Sequence, residues 1–335
     1  MTTSMRQELI EGIRNDLYDF SLVDANEKDK PEPIYTKIFR SAPIKGSAEV
    51  SNTALLNVTF KDTEDGESIE YTDAVSGRKF THRTHRITAA QKVPRDLIDR
   101  DAVKPELKAW AQKWVVAAKK AHALRLETYF ANLLNYSGYT SGNAIFNQTS
   151  GLFTYSGGNF VYDGKPLVNL SGNDRTLTKK PADKENSFHN GLGATLKPLS
   201  TENFDAAYTL MSATNAYNDA GQKISRIPTH VIYHPTDRGT AFSILKTTSG
   251  VPGDVNNGAN HNFEIVDPIM NPYITSGSWF LYRNSGAFLA FDQGIPYFDF
   301  WFDQETKEHK ISMDVSYGHG IDDVLDIVGG NNATS

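Results

Sequence analysis

The sequence predicts an α+β fold organised around one long helix, and three observations carry that prediction. Apolar residues recur at helical spacing throughout residues 105–136. A threonine-rich stretch at 53–95 alternates apolar and polar residues in two runs, on either side of an acidic tip. Beyond Ser278, short aromatic and β-branched runs follow one another closely, as strands do.

Residues 1–52 read as an arm. An amphipathic helix is expected at 4–20, with Leu9, Ile13, Leu17 and Tyr18 near one face. A charged, proline-punctuated stretch follows at 24–33, then Ile34, Tyr35, Ile38 and Phe39. Pro31 and Pro33 favour extended backbone. So little apolar content cannot fold alone. The segment is either a flexible tail or an arm that orders on a neighbouring subunit, with those four apolar residues as its contacts.

Residues 53–95 read as a long β-hairpin. Leu56, Val58 and Phe60 alternate with Asn57, Thr59 and Lys61 on the way out, and Phe80, Arg83, His85 and Ile87 sit among threonines on the return. The tip, 62–77, is acidic and broken by glycine. Two strands alone are marginal in water, so a ribbon this polar calls for another chain. Its expected intersubunit contacts are Lys61, Asp62, Glu64, Asp65, Glu67, Lys79, Arg83 and Arg86.

The helix at 105–136 carries Leu107, Trp110, Ala111, Trp114, Ala118, Ala121 and Arg125, then Leu126, Tyr129, Phe130 and Leu133. Asp99 and Asp101 precede it, Pro105 suits its first turn, and Gly138 suits its stop. At 1.5 Å rise it spans roughly 45–50 Å, a spine rather than an ordinary helix. Trp110 and Trp114 read as core. Residues 139–200 are rich in glycine, serine and asparagine and read as a loop-rich insertion without helix, with a short strand at 159–162.

Residues 201–275 alternate helix and strand. A helix is expected at 201–218, with Phe204, Tyr208, Met211 and Asn215 on one side and Gly221 beyond its end. A strand at His230–Tyr233, a helix at 235–247 and a strand at 263–266 complete a compact α/β lobe. Further strands are expected at Trp279–Tyr282, 288–291, 297–302, 310–317 and 324–328.

Composition narrows the function. With 39% hydrophobic and 22% charged residues the chain can bury a core, so it is not a disordered protein. There is no cysteine, which removes disulfides, thiolate metal sites and cysteine nucleophiles. The first twenty residues lack the apolar core of a secretory signal, and no apolar run approaches the roughly 20 residues of a membrane span. Net charge is −6 without a basic cluster, which argues against a protein that grips nucleic acid by its phosphates.

Candidate chemistry is thin. His82 and His85 fall on opposite faces of a strand. Asp322, Asp323 and Asp326 read as solvated acidic surface, with no second partner set for acid–base work. The acidic tip lacks calcium-loop spacing. Gly250 to Gly258 lacks the lysine–hydroxyl ending of a phosphate loop. No catalytic, cofactor-binding or metal-binding residue is expected, and no cofactor.

The order arm, long hairpin, spine, loop-rich stretch, α/β lobe and terminal strands resembles the major capsid (major head) proteins of tailed bacteriophages, which have the Hong Kong 97 fold, and within them the Mu-like head subunits. Local segments carry the resemblance: Lys92-Val93-Pro94-Arg95-Asp96-Leu97 before the spine, Asp163-Gly164-Lys165-Pro166-Leu167, Asn190-Gly191-Leu192-Gly193, Ser278-Trp279-Phe280-Leu281, Phe291-Asp292-Gln293-Gly294-Ile295-Pro296, and Ser316-Tyr317-Gly318-His319-Gly320-Ile321-Asp322. It runs over most of the chain, from about Ile34 to Val328, and is weakest at 139–200.

The resemblance implies a division into an N-terminal arm (1–52), an E-loop hairpin (53–95) laid over an adjacent subunit, a peripheral P-domain (96–200 and 284–318) and an axial A-domain (201–283, with 319–335). It implies hexamers and pentamers of many copies in an icosahedral virion head, built in the host cytoplasm. The head would enclose double-stranded DNA without reading its sequence and would work with a portal and with scaffolding or decoration proteins. Some relatives crosslink a hairpin lysine to a neighbour; Lys61 and Lys79 lie in that region. An encapsulin-type nanocompartment shell shares the fold and is the alternative, separated by its contents, a cargo enzyme rather than DNA. An enzyme with a glycine-rich β domain would need converging titratable residues that the sequence does not show, and a decoration or tail protein does not call for the long spine.

Overall fold

The computed structural model describes residues 33–43, 48–55, 75–93, 106–135, 144–147, 152–155, 167–169, 171–172, 174–192, 197–248, 260–292, 296–303, 305 and 308–330. The expected helix at 4–20, the strand at 159–162 and nearly all of the hairpin tip lie outside these residues.

The first of two main sheets is built on β11 (Glu308–Ile321). One edge of β11 takes β3 (Val75–Lys92), antiparallel, from Lys310 opposite Lys92 to Gly318 opposite Thr84. The other edge is shared. Its first half takes β10 (Tyr297–Asp303), and its second half takes β9 (Phe288–Asp292). β1 (Arg40–Pro43) runs parallel to β9 at one end, and β2 (Ala48–Leu55) pairs with the far part of β3 at the other.

Strand alternation divides this sheet into a dry face and a wet face. Phe298, Phe300, Ile311, Met313 and Val315 are buried on one side. The spine helix α1 (Glu106–Asn135) lies there, presenting small residues, Ala111, Val115 and Ala118, so that helix and sheet approach closely; Trp110 and Trp114 pack at the border. Its thirty residues span about 45 Å. The second half of α1 enters a larger core through Leu126, Tyr129, Phe130, Leu133 and Leu134.

The second sheet has the order β12-β8-β6-β7, with β6 at His230–Tyr233, β7 at Asp267–Met270, β8 at Trp279–Tyr282 and β12 at Ile327–Gly329. β6 and β7 are parallel, so the chain must cross over between them. That crossover contains α3 (Arg238–Leu245). Together with α2 (Thr201–Thr209) and the turn that continues it, α3 covers one face through Phe204, Ala207, Met211, Ala241, Ile244 and Leu245. The other face (Ile232, Ile269, Phe280, Tyr282 and Ile327) belongs to the larger core beside α1. β8 is therefore buried throughout and reads as a continuous apolar run. A small hairpin, β4 (Ala144–Asn147) with β5 (Leu152–Tyr155), lies in the loop-rich insertion.

Several boundaries differ from the sequence expectation for local reasons. α2 starts where expected, with Ser200 Oγ accepting from Asn203 N at 3.2 Å, but gives way to a π turn at Leu210–Thr214. The helix expected at 235–247 opens with a 3-10 turn, Pro235–Asp237. The strand expected at 263–266 lies at β7 instead, because Glu264 takes a left-handed φ of 52° that no strand accommodates. The strand expected at 324–328 begins as a 3-10 turn, Val324–Asp326, capped by Asp323, whose Oδ1 accepts from Leu325 N at 2.9 Å. The first strand of the hairpin is in place from Ala48, before the expected start at 53.

Candidate functional site

Contact between copies is the function the sequence points to, so its candidate surfaces are the arm, the ribbon and the open face of the first sheet. The described part of the arm lies against its own chain. Tyr35, Ile38 and Phe39 are 9%, 2% and 1% exposed within their own chain, and the partly buried Ile34 packs on the same cluster. Pro33 is extended, with φ −58° and ψ 141°, and residues Ile34–Lys37 after it form a 3-10 turn. The Tyr35 ring stacks on Phe130 at 4.7 Å, and Phe39 lies 4.7 Å from Phe130 and 5.6 Å from Phe288. These four residues pack on their own chain, where Phe130 of the spine offers them aromatic surface.

Glu127 fixes the turn. Its carboxylate accepts from Ile34 N at 2.6 Å and from Tyr35 N at 3.2 Å, taking up N–H groups at the start of the turn. Burial pushes the Glu127 carboxyl above its usual value of 4.5, against the opposing pull of those two N–H donors. Tyr282 Oη donates to Ile38 O at 2.6 Å and ties the same segment to β8.

The ribbon is made by β2 and the first half of β3, from Ala48 opposite Arg83 to Leu55 opposite Val75, with a bulge between Asn52 and Ala54. Lys79 sits opposite Asn52. Beyond Arg83 the same strand enters the main sheet beside β11. Among the described residues, β2 pairs with no strand but β3. Lys61, Asp62, Glu64, Asp65 and Glu67 lie outside the described residues.

The wet face of the first sheet is built in rows across β10, β11 and β3. Tyr297, Asp314 and Thr88 share one row; Asp299, Ser312 and Ala90 share the next; Trp301, Lys310 and Lys92 share the third. Arg86, which is exposed, reaches Asp314 at 2.5 Å, and Thr88 Oγ1 donates to the same carboxylate at 2.5 Å. Lys92 meets Glu308 at 2.7 Å, and Lys310 pairs with Asp303. The middle row is low because Ala90 and Ser312 are small. A trough of about 380 Å³ results, with Tyr297 and Trp301 at its ends. Sequence reasoning missed this surface, although the alternation Tyr297-Phe298-Asp299-Phe300-Trp301 already separates inward from outward residues.

The terminal carboxylates also need correction. Asp326 is 1% exposed and not solvated. It accepts from Arg226 and Ser285 and lies 3.3 Å from Arg283, while Asp323 lies 2.9 Å from Arg226. Burial and the neighbouring Asp323 charge raise the Asp326 carboxyl above the usual aspartate range; Arg226, Ser285 and Arg283 oppose that shift. The arrangement is a buried ion-pair network, consistent with a structural role. Among the described residues no three His, Asp or Glu side chains gather as a metal site, and no helix is long and apolar enough to cross a membrane.

Comparison with known proteins follows the same line. The capsid of an empty GTA particle, computed with C5 symmetry, aligns over 91% of both chains at TM-score 0.52 and 10% identity. A structure from Mycobacterium phage Patience aligns over 97% of this chain and 88% of its own at TM-score 0.53 and 9% identity. A virus-like particle from Pyrococcus furiosus reaches only TM-score 0.42, too low to argue from. No curated protein matches significantly. At such identities the structural likeness speaks for the fold, which is of the Hong Kong 97 type. The phage capsid protein family matches residues 81–326, most of the chain, from the ribbon's return strand to the buried Asp326. By that match, this chain belongs to the phage capsid protein family and is a structural capsid protein rather than an enzyme.

Proposed function

We propose that many copies of this chain assemble as hexamers and pentamers into an icosahedral phage head, in the host cytoplasm, and that the head encloses double-stranded DNA without reading its sequence. One observation carries the reading. The ribbon of β2 and β3 projects from the main sheet as two strands, and two strands are marginal alone. A neighbouring copy supplies the surface it lacks. The contact is heterologous, one patch on a different patch, and repetition of such contacts closes rings. In this reading the ribbon is the E-loop, the spine with the first sheet is the P-domain, and the second sheet with its helices is the A-domain. A portal completes the head, with scaffolding or decoration proteins as assembly partners.

Electron microscopy of the purified chain tests this. Shells hundreds of ångströms across are expected, and nuclease-protected DNA in shells from infected cells separates a phage head from a cargo-holding nanocompartment. A small monodisperse species at high concentration in every salt would overturn the reading. Removing residues 62–74 is expected to leave the unfolding midpoint unchanged and abolish shells; normal shells would show that the ribbon is not the assembly element.

A further inference from the structure

We infer that the open edge of the second sheet, an apolar rim formed by β7 and α3, packs against a neighbouring copy of this chain. This rests on the shell reading and names a contact surface that reading leaves open.

The apolar residues are concentrated there. Eight large apolar side chains are exposed among the described residues, and five of them, Phe242, Phe263, Ile265, Met270 and Tyr273, fall on α3 or on the segment 263–273 that contains β7. The fold brings the two pieces together. α3 packs against β7, and Glu264 N donates to Leu245 O at 2.9 Å at the end of the helix. Met270 lies opposite Tyr233 in the register, so it shares the face on which α3 sits. Edge strands that stay alone in water are commonly blunted by charge. The segment 263–273 carries only Glu264, held by Lys246 at 3.0 Å, and Asp267.

The two edges of the sheet differ. β12 is closed by its own chain, with Leu192 N donating to Gly329 O at 3.3 Å and Gly329 N to Asn190 O at 3.0 Å. β7 pairs, among the described residues, with β6 alone. Asp267 N and Asn271 N turn inward to Thr229 O and Tyr233 O, each at 2.9 Å, so Pro268 and Met270 turn their backbone outward. Proline offers no N–H to an added strand, so the rim docks through its side chains.

The size of the rim and the family both point to a second copy. At 36–63% exposure the five side chains present on the order of 400 Å². That is within the range of the largest patch on an ordinary monomer and about half of what a standard interface buries on each partner. In a capsid protein the surface repeated beside every subunit is another subunit. This edge meeting a different patch on the next copy is a heterologous contact, the kind that closes rings.

The chain has no cysteine, so a single introduced thiol reports only its own position. Met270→Cys and Phe242→Cys are made separately in the full-length chain and treated with a small maleimide. Labelling is expected to be fast in dissociated subunits and about tenfold slower in intact shells. Equal rates would overturn the inference. Slow labelling already in dissociated subunits would mean that the chain covers its own rim, and protection that appears only on adding a second head protein would assign the rim to that protein; either result overturns it. Met270→Glu is expected to cut shell yield about tenfold, the scale of losing one buried apolar side chain, with an unchanged unfolding midpoint. Wild-type yield would overturn the inference while leaving the shell reading intact. If Met270→Glu fails to fold, the labelling rates decide the matter. Absence of shells from the wild-type chain would instead remove the shell reading, and this inference with it.

Discussion

At the scale of single residues, Glu127 holds the arm to the spine by accepting two backbone N–H groups with a half-buried carboxylate. Glu127→Ala leaves both donors without that acceptor and is expected to destabilise the chain by about 1–3 kcal/mol, read as a lower urea midpoint. The pH dependence has a definite sign. Burial holds the folded-state carboxyl above 4.5, so the folded chain binds this proton more tightly than the unfolded one. The resulting stabilisation is complete below 4.5 and fades as pH rises through the raised value. Stability of the wild type relative to Glu127→Gln should therefore increase from pH 7 toward pH 4.5; a flat or falling difference would contradict the assignment. Gly330 is constrained by space instead. A Cβ there would run into the indole of Trp279, which is fully buried and held by its Nε1 donating to Lys197 O at 2.8 Å. Gly330→Ala is expected to cost about 1–3 kcal/mol or more, with a change in near-ultraviolet dichroism that reports the displaced indole.

At the scale of elements, the spine helix is flat where it meets the sheet because its contact residues are small. Ala111 is completely buried against that sheet, while Ala121 faces solvent. Ala111→Leu should overpack the interface and lower stability by about 1–3 kcal/mol, whereas Ala121→Leu should stay within about 0.5 kcal/mol of wild type. Equal effects in urea unfolding would mean that the helix is not seated as described. The spine was legible in the sequence because its period persists over many turns. β6 and β8 were legible because runs of buried apolar residues are short and sharply bounded. The extent of β3 was not, since a polar, threonine-rich alternation looks the same in a ribbon as beside β11. The anchoring of Ile34 and Tyr35 was also hidden, because Glu127 is more than ninety residues away. Asp326 looked like surface for the same reason: its partner Arg226 lies one hundred residues earlier.

At the scale of the whole molecule, the two sheets share one core, with Phe288, Ala290 and Tyr317 from the first and Ile232, Phe280 and Tyr282 from the second packed around the end of the spine. The chain passes between sheets at 283–287 and again at 322–326, and Asp326 links those passages by meeting Arg283 and Ser285 as well as Arg226. Removing one partner from such a network is costly, because the other charge stays buried. Asp326→Ala leaves Arg226, 1% exposed, with only the half-exposed Asp323 as a carboxylate partner among the described contacts, and is expected to cost about 3–5 kcal/mol. Arg226→Met combined with Asp326→Leu removes both charges together, and the pair should cost less than the sum of the single changes by about 0.5–3 kcal/mol. A shared core also implies one cooperative transition, so far- and near-ultraviolet signals should move together in wild type and in Asp326→Ala. Additive single changes would mean that the charges are not coupled, and separate transitions for the two signals would mean that the sheets unfold as independent bodies.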